Sequence, residues 1–305
     1  TNKNFIHHFL ITLSVIFALI TSFYAFILDE NVQSMLARCG AGFFSKKFNT
    51  EVSIKTFYIK PDLRIHAEDL EMKDKKDSTM FYVGTINGKL FLRELSAEPF
   101  VKDLDIDNLF VNIVTYEGSN LSNVSEVFRK NENKGGFNSL IRVGELNVNN
   151  GHVIVWNQNK KPRPQGMDYS HIDVDGIALS LSEMSFDGDT ITGYLNKLSA
   201  SEKSGFVLDE FSSDSMFCVS SREIDFKNLI VKTHETSLDL DLNFSYDDYK
   251  SFNKFVDSIT ICADIRPSQL TLSDLRFFAP TMSKMTDTLQ INGLIEGEVC
   301  DFNAT

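Results

Sequence analysis

The sequence predicts a mainly β protein: an N-terminal transmembrane helix, then a long antiparallel sheet with short flanking helices. Three observations carry this. In T-S-L-D-L-D-L-N-F-S-Y (236–246), Leu238, Leu240, Leu242 and Phe244 alternate with Asp239, Asp241 and Asn243, so an extended strand has one apolar and one polar face. The same alternation returns at Leu104/Ile106, Leu109/Val111/Ile113, Leu146/Val148, Val153/Val155, Ile172/Val174, Ile177/Leu179/Leu181, Ile224/Phe226 and Leu229/Val231. Residues 5–28 contain no Lys, Arg, Asp or Glu. Function is expected along the continuous apolar face that the alternating strands share.

Residues 1–28 read as a single membrane anchor, because an uncharged run of this length crosses a hydrocarbon core of about 30 Å as a tilted helix. The run is too long for a signal-peptide core and no A-x-A site follows it. Lys3 precedes it and Asp29 and Glu30 follow, which puts the N-terminus in the cytoplasm and the bulk of the chain outside. Residues 29–48 carry Val32, Met35, Leu36, Cys39, Phe43 and Phe44 at helical spacing, with Asp29 as N-cap. This amphipathic helix either lies on the membrane or plugs the open end of the sheet.

Residues 49–120 form a first run of strands, broken by a charged turn at 73–77. Residues 121–139 hold a short helix, with Val124, Val127 and Phe128 on one face, and then a loop. Strands resume over 140–245, where Asn150-Gly151 and Asp187-Gly188 read as hairpin turns. Pro162 and Pro164 exclude 158–166 from any central strand. A second short helix is expected over 246–260, with Tyr249, Phe252, Phe255, Val256 and Ile259 on one face, and further strands over 261–305. The chain lacks an initial Met and stops inside a strand pattern, so it reads as a piece of something longer, with strands continuing beyond its end.

The net charge of −12 argues against nucleic acid as a partner, since phosphate binding needs a basic patch. Cys39, Cys218, Cys262 and Cys300 show no metal or disulfide spacing and read as small apolar residues. His171-x-Asp173-x-Asp175-Gly176 matches part of a calcium loop, but His171 and Ser182 stand where carboxylates belong; as a strand it places His171, Asp173 and Asp175 on the wet face. Nucleotide-binding, metalloprotease and nucleophile-elbow motifs are missing. The expectation is therefore no enzyme, no catalytic residue, no metal and no cofactor.

The order of features resembles the N-terminal part of AsmA-like proteins, most closely the TamB branch of Gram-negative bacteria. The resemblance runs through the span 5–28, N-V-Q-S-M-L-A-R-C, V-S-I-K-T-F-Y-I-K-P-D-L-R-I-H-A-E-D-L-E-M-K-D and D-L-D-I-D-N-L-F-V-N-I-V-T-Y. It continues through R-V-G-E-L-N-V-N-N-G-H-V-I-V-W, S-L-D-L-D-L-N-F-S-Y and L-T-L-S-D-L-R-F-F-A-P-T. It implies a single-pass inner-membrane anchor and an elongated, folded, taco-like β-groove that carries phospholipid across the periplasm. The alternating positions expected to line that groove are Leu104, Ile106, Leu109, Val111, Ile113, Leu146, Val148, Val153, Val155, Leu238, Leu240, Leu242 and Phe244. The same resemblance implies an alternative, a translocation and assembly scaffold for outer-membrane proteins beside a BamA-like barrel partner. Periodicity alone also fits a closed sandwich core.

Overall fold

The computed structural model describes residues 21–22, 25–91, 100–128, 141–164, 166–248, 251–252, 255–278, 284–298 and 301–305. Most of the expected span 5–28 lies outside the described residues, as do the loop 129–140 and parts of 246–260. Among the described residues, no helix is long and apolar enough to cross a membrane.

The chain is mainly β. Helix α1 (Glu30–Phe48) leads into β1 (Val52–Ser53), β2 (Thr56–Ile59), β3 (Arg64–Lys73), β4 (Thr79–Phe91) and β5 (Phe100–Thr115). Helix α2 (Asn123–Phe128) precedes β6 (Ile141–Asn157), β7 (His171–Asp187), β8 (Thr190–Glu202), β9 (Val207–Ser213) and β10 (Met216–Val219). Then come β11 (Glu223–Lys232), β12 (Ser237–Ser245), α3 (Phe255–Ser258), β13 (Thr260–Thr271), α4 (Leu272–Leu275), β14 (Thr288–Glu298) and β15 (Asp301–Ala304). Helix α3 thus occupies the end of the 246–260 segment.

All fifteen strands belong to one sheet, ordered β1-β3-β4-β5-β6-β7-β8-β10-β11-β12-β13-β14-β15. Strand β2 continues β1 along β3, and β9 continues β10 between β8 and β11. The expected all-antiparallel sheet needs one correction: β5 and β6 are parallel, with Leu104 beside Leu146 and Val111 beside Val153. Parallel neighbours need a crossover connection, and the segment containing α2 supplies it. Asn123 pins that crossover. It is 1% exposed, accepts a bond from the Val114 N–H (2.9 Å) and donates to Asn112 O (3.0 Å) and Asp74 Oδ2 (3.1 Å).

A second correction concerns Asn150-Gly151. It is no hairpin turn, because β6 runs straight through it; Asn150 takes a left-handed backbone (φ 53°) and makes a β-bulge. Asp187-Gly188 does close a hairpin, between β7 and β8, with Asp187 paired to Thr190.

Helix α1 is capped by Asp29, whose carboxylate accepts the N–H groups of Asn31 and Val32. It lies along the β1–β2 edge and supplies the bonds another strand would make. Gln33 exchanges two bonds with Ile59, Ser34 two with Phe57 and Ser45 two with Val52, while Arg38 donates to Lys55 O. An exposed strand edge invites aggregation, and α1 closes this one.

Burial concentrates in two clusters on one sheet face, around Val143, Met184, Leu195 and Phe217, and around Leu229, Leu240 and Ala263.

Candidate functional site: the apolar face of the sheet

Cross-strand partners in register share a face, so the strand register maps the apolar surface. One row crosses ten strands: Phe57, Ala67, Ile86, Ile106, Val148, Leu179, Leu198, Phe211, Val231 and Leu238, each paired with the next. Flanking rows run Ile59, Ile65, Gly88, Leu104, Leu146, Leu181, Leu195 and Phe81, Val111, Val153, Val174. A further row joins Ile191, Val219, Ile224, Phe244 and Ile261.

The expected groove residues therefore fall on these rows or beside them, with Leu109 next to Val83, Ile113 next to Val155 and Leu242 next to Phe226. They differ in exposure. Val148 (5%) and Leu240 (6%) are buried, and the other eleven are half-buried. Sequence alternation missed Leu195, Leu198 and Phe211, because the β7–β8 and β8–β9 pairings shift register and break the period-two pattern there.

The opposite face is polar along a matching row of Tyr58, His66, Asn87, Asp105, Asn147, Ser180 and Lys197. His66 Nδ1 meets Asn87 Oδ1 at 2.7 Å, and Asn147 donates to Asp105 at 3.0 Å. Farther along, Arg266 bonds Asp239 (2.7 Å) and Asp241 (3.0 Å). These two carboxylates hold the guanidinium well above its ordinary value, the Asp239 bond contributing most.

A line of left-handed residues crosses the strands. Asp69 (φ 49°) in β3 and Asn108 (φ 56°) in β5 flank Gly84 with the register unshifted, and Asn150 in β6 and Gly176 (φ 59°) in β7 follow, where the register shifts and makes bulges. A Cβ on Gly84 would stand 3.0 Å from that of Asn108, so the backbones approach closely here. Each left-handed residue also resets the alternation, which is why the apolar positions step from Ile106 to Leu109 and from Val174 to Ile177 without leaving the face. Bulges bend and twist the strands that carry them, so those side by side in β6 and β7 crease the sheet here.

His171 shares the polar face, as expected, but it is buried and not wet. Its Nδ1 lies 2.8 Å from Asp168 Oδ2, its Nε2 3.0 Å from Asn157 O, and its ring packs edge-on against Trp156. With both nitrogens engaged, this ring is not free to serve as a base for a nucleophile. Among the described residues, no three His, Cys, Asp or Glu side chains are placed to hold a metal ion, and Cys39, Cys218 and Cys262 are free thiols.

Neither the models of known protein families nor the curated proteins compared with this chain match it.

Proposed function

We propose that this chain is part of an inner-membrane-anchored bridge whose creased sheet forms a groove that carries phospholipid across the periplasm towards the outer membrane. The N-terminus lies in the cytoplasm and the sheet in the periplasm. The observation that carries the reading is the ten-residue apolar row from Phe57 to Leu238. Exposing an acyl chain of about fifteen methylenes to water costs on the order of 12 kcal/mol, so a lipid crossing an aqueous gap needs an unbroken apolar lining. Half-buried side chains on a face creased by bulges suit such a lining better than they suit a closed sandwich, whose facing side chains are shut off from water.

The resemblance to AsmA-like proteins of the TamB branch supports the same reading. An assembly scaffold beside a BamA-like barrel would instead use backbone groups on a free sheet edge, and at the β1–β2 edge those groups are already engaged by α1. No catalytic role is proposed.

Lipid analysis of the purified full chain tests the proposal. Phospholipid should co-purify with the parent protein and be depleted by Ile106→Asn combined with Leu198→Asn, while Asn147→Ala with Lys197→Ala on the other face keeps it. Equal lipid in all three proteins would contradict the groove.

A further inference from the structure

Helix α1 is amphipathic the wrong way round for a helix that packs on a sheet. Its inner face is polar or small, with Ser34 and Ala41 buried and Gln33, Arg38 and Ser45 bonded to the edge strands. Its outer face carries Leu36 (59% exposed), Phe43 (66% exposed), Met35, Phe44 and the exposed Cys39. Angular spacing along the helix puts Leu36, Cys39 and Phe43 on one stripe, flanked by Met35 and Phe44. A solvated helix shows its polar side to water, and a contiguous apolar stripe of this kind marks an interaction surface.

Two features identify what covers it. The stripe begins within a few residues of the uncharged run 5–28, whose end carries the exposed Phe26 and Ile27. Lys46 and Lys47 stand exposed at the other end, Lys47 on the stripe itself, where a long cationic side chain can reach anionic headgroups while its stem stays among apolar groups.

We infer that the outer face of α1 seats in the membrane interface, so that the sheet stands on the bilayer by its β1–β2 edge. This rests on the membrane-anchor reading above. It also orients the groove. Gln33 meets Ile59, Arg38 meets Lys55 and Ser45 meets Val52, so α1 runs alongside the first strands and in the opposite direction. With α1 flat on the membrane, β1 and β2 lie parallel to it and each later strand stands about 4.8 Å farther away. The ten positions from β2 to β12 then carry the apolar row roughly 43 Å outward, beginning at Phe57 beside the bilayer.

Spin labels on the full chain in phosphatidylcholine vesicles containing phosphatidylglycerol provide the test. With Cys218, Cys262 and Cys300 replaced by Ser, the native Cys39 is one site; Leu36→Cys, Phe43→Cys, Ala18→Cys and Asp214→Cys, each with Cys39→Ser, are the others. Labels at 36, 39 and 43 should collide mainly with oxygen and be shielded from a water-soluble nickel chelate, as at 18, while 214 shows the reverse. Lipid exposure at 18 with water exposure at 36, 39 and 43 would overturn the seat and leave the anchor standing. Water exposure at 18 as well would mean that the anchor itself fails. Strong spin–spin broadening at 39 would show a second copy of the chain on the stripe and also overturn the inference, as would immobilised labels that neither reagent reaches, the mark of a protein segment folded over it.

Discussion

Asn108 and Asn150 lie next to one another across the parallel β5–β6 pair, each one residue after the matched partners Asp107 and Asn149, and both have left-handed backbones. Slipping one strand past the other would part these two matched left-handed residues, so this backbone feature and the register fix each other.

Substitution at Asn150 tests this. Its exposed side chain leaves backbone conformation as the main variable, and a β-branched residue with φ near 53° is strained by about 1–2 kcal/mol. Asn150→Val should lower the unfolding free energy measured in urea by that amount while Asn150→Gly stays close to the parent. Equal midpoints for Val and Gly would mean that the bulge relaxes freely.

The crossover should respond to pH through Asp74. Burial alone would raise this carboxyl, but bonds from Tyr116 (2.6 Å), the Ser78 N–H, Asn123 and the Lys76 N–H outweigh it and hold the group below the ordinary carboxylate value. Burial, followed by the bond to Asp74, pushes the Tyr116 phenol up to about 12. A depressed carboxyl stabilises the fold fully above its unfolded pKa of about 3.9 and loses that contribution as pH falls through the lower folded value. Unfolding midpoints of parent and Asp74→Asn should therefore differ at neutral pH and converge below about pH 4. Asn123→Ala, which strands the Val114 N–H, should cost about 1–3 kcal/mol.

Position along the apolar face decides what truncation costs. Leu240 packs against the fully buried Leu229 and against Ala263, so Leu240→Ala should cost about 2–5 kcal/mol. Leu109 is half-buried, and Leu109→Ala should cost about 1 kcal/mol. Calorimetry of the two variants checks the ordering; similar losses would imply a uniformly closed core.

Much of the sheet was legible because alternation is a local property of each strand. What stayed hidden depends on distant partners. Asn-Gly at 150–151 supplies the same left-handed backbone whether the chain reverses or merely bulges, and only the pairing of β6 with β7 decides between them. Parallel and antiparallel strands alternate alike, so the β5–β6 pair could have been inferred only from the long, helix-bearing connection between them. In α1 the apolar stripe is legible from helical spacing, but nothing local reveals that Ser34 and Ser45 complete a strand edge and turn that stripe outward. The burial of Leu240 was equally invisible, since it depends on Ala263 and Leu229 in the neighbouring strands.

The proposed lipid track has one side. A photo-crosslinker placed in turn at Ile106, Leu179, Leu198 and Val231 of the full chain in cells should capture phospholipid at every site. The same probe at Asp105, Ser180 and Lys197, one residue away on the polar face, should capture little. Equal capture on both faces, or outer-membrane polypeptide in place of lipid on the apolar one, would contradict the account.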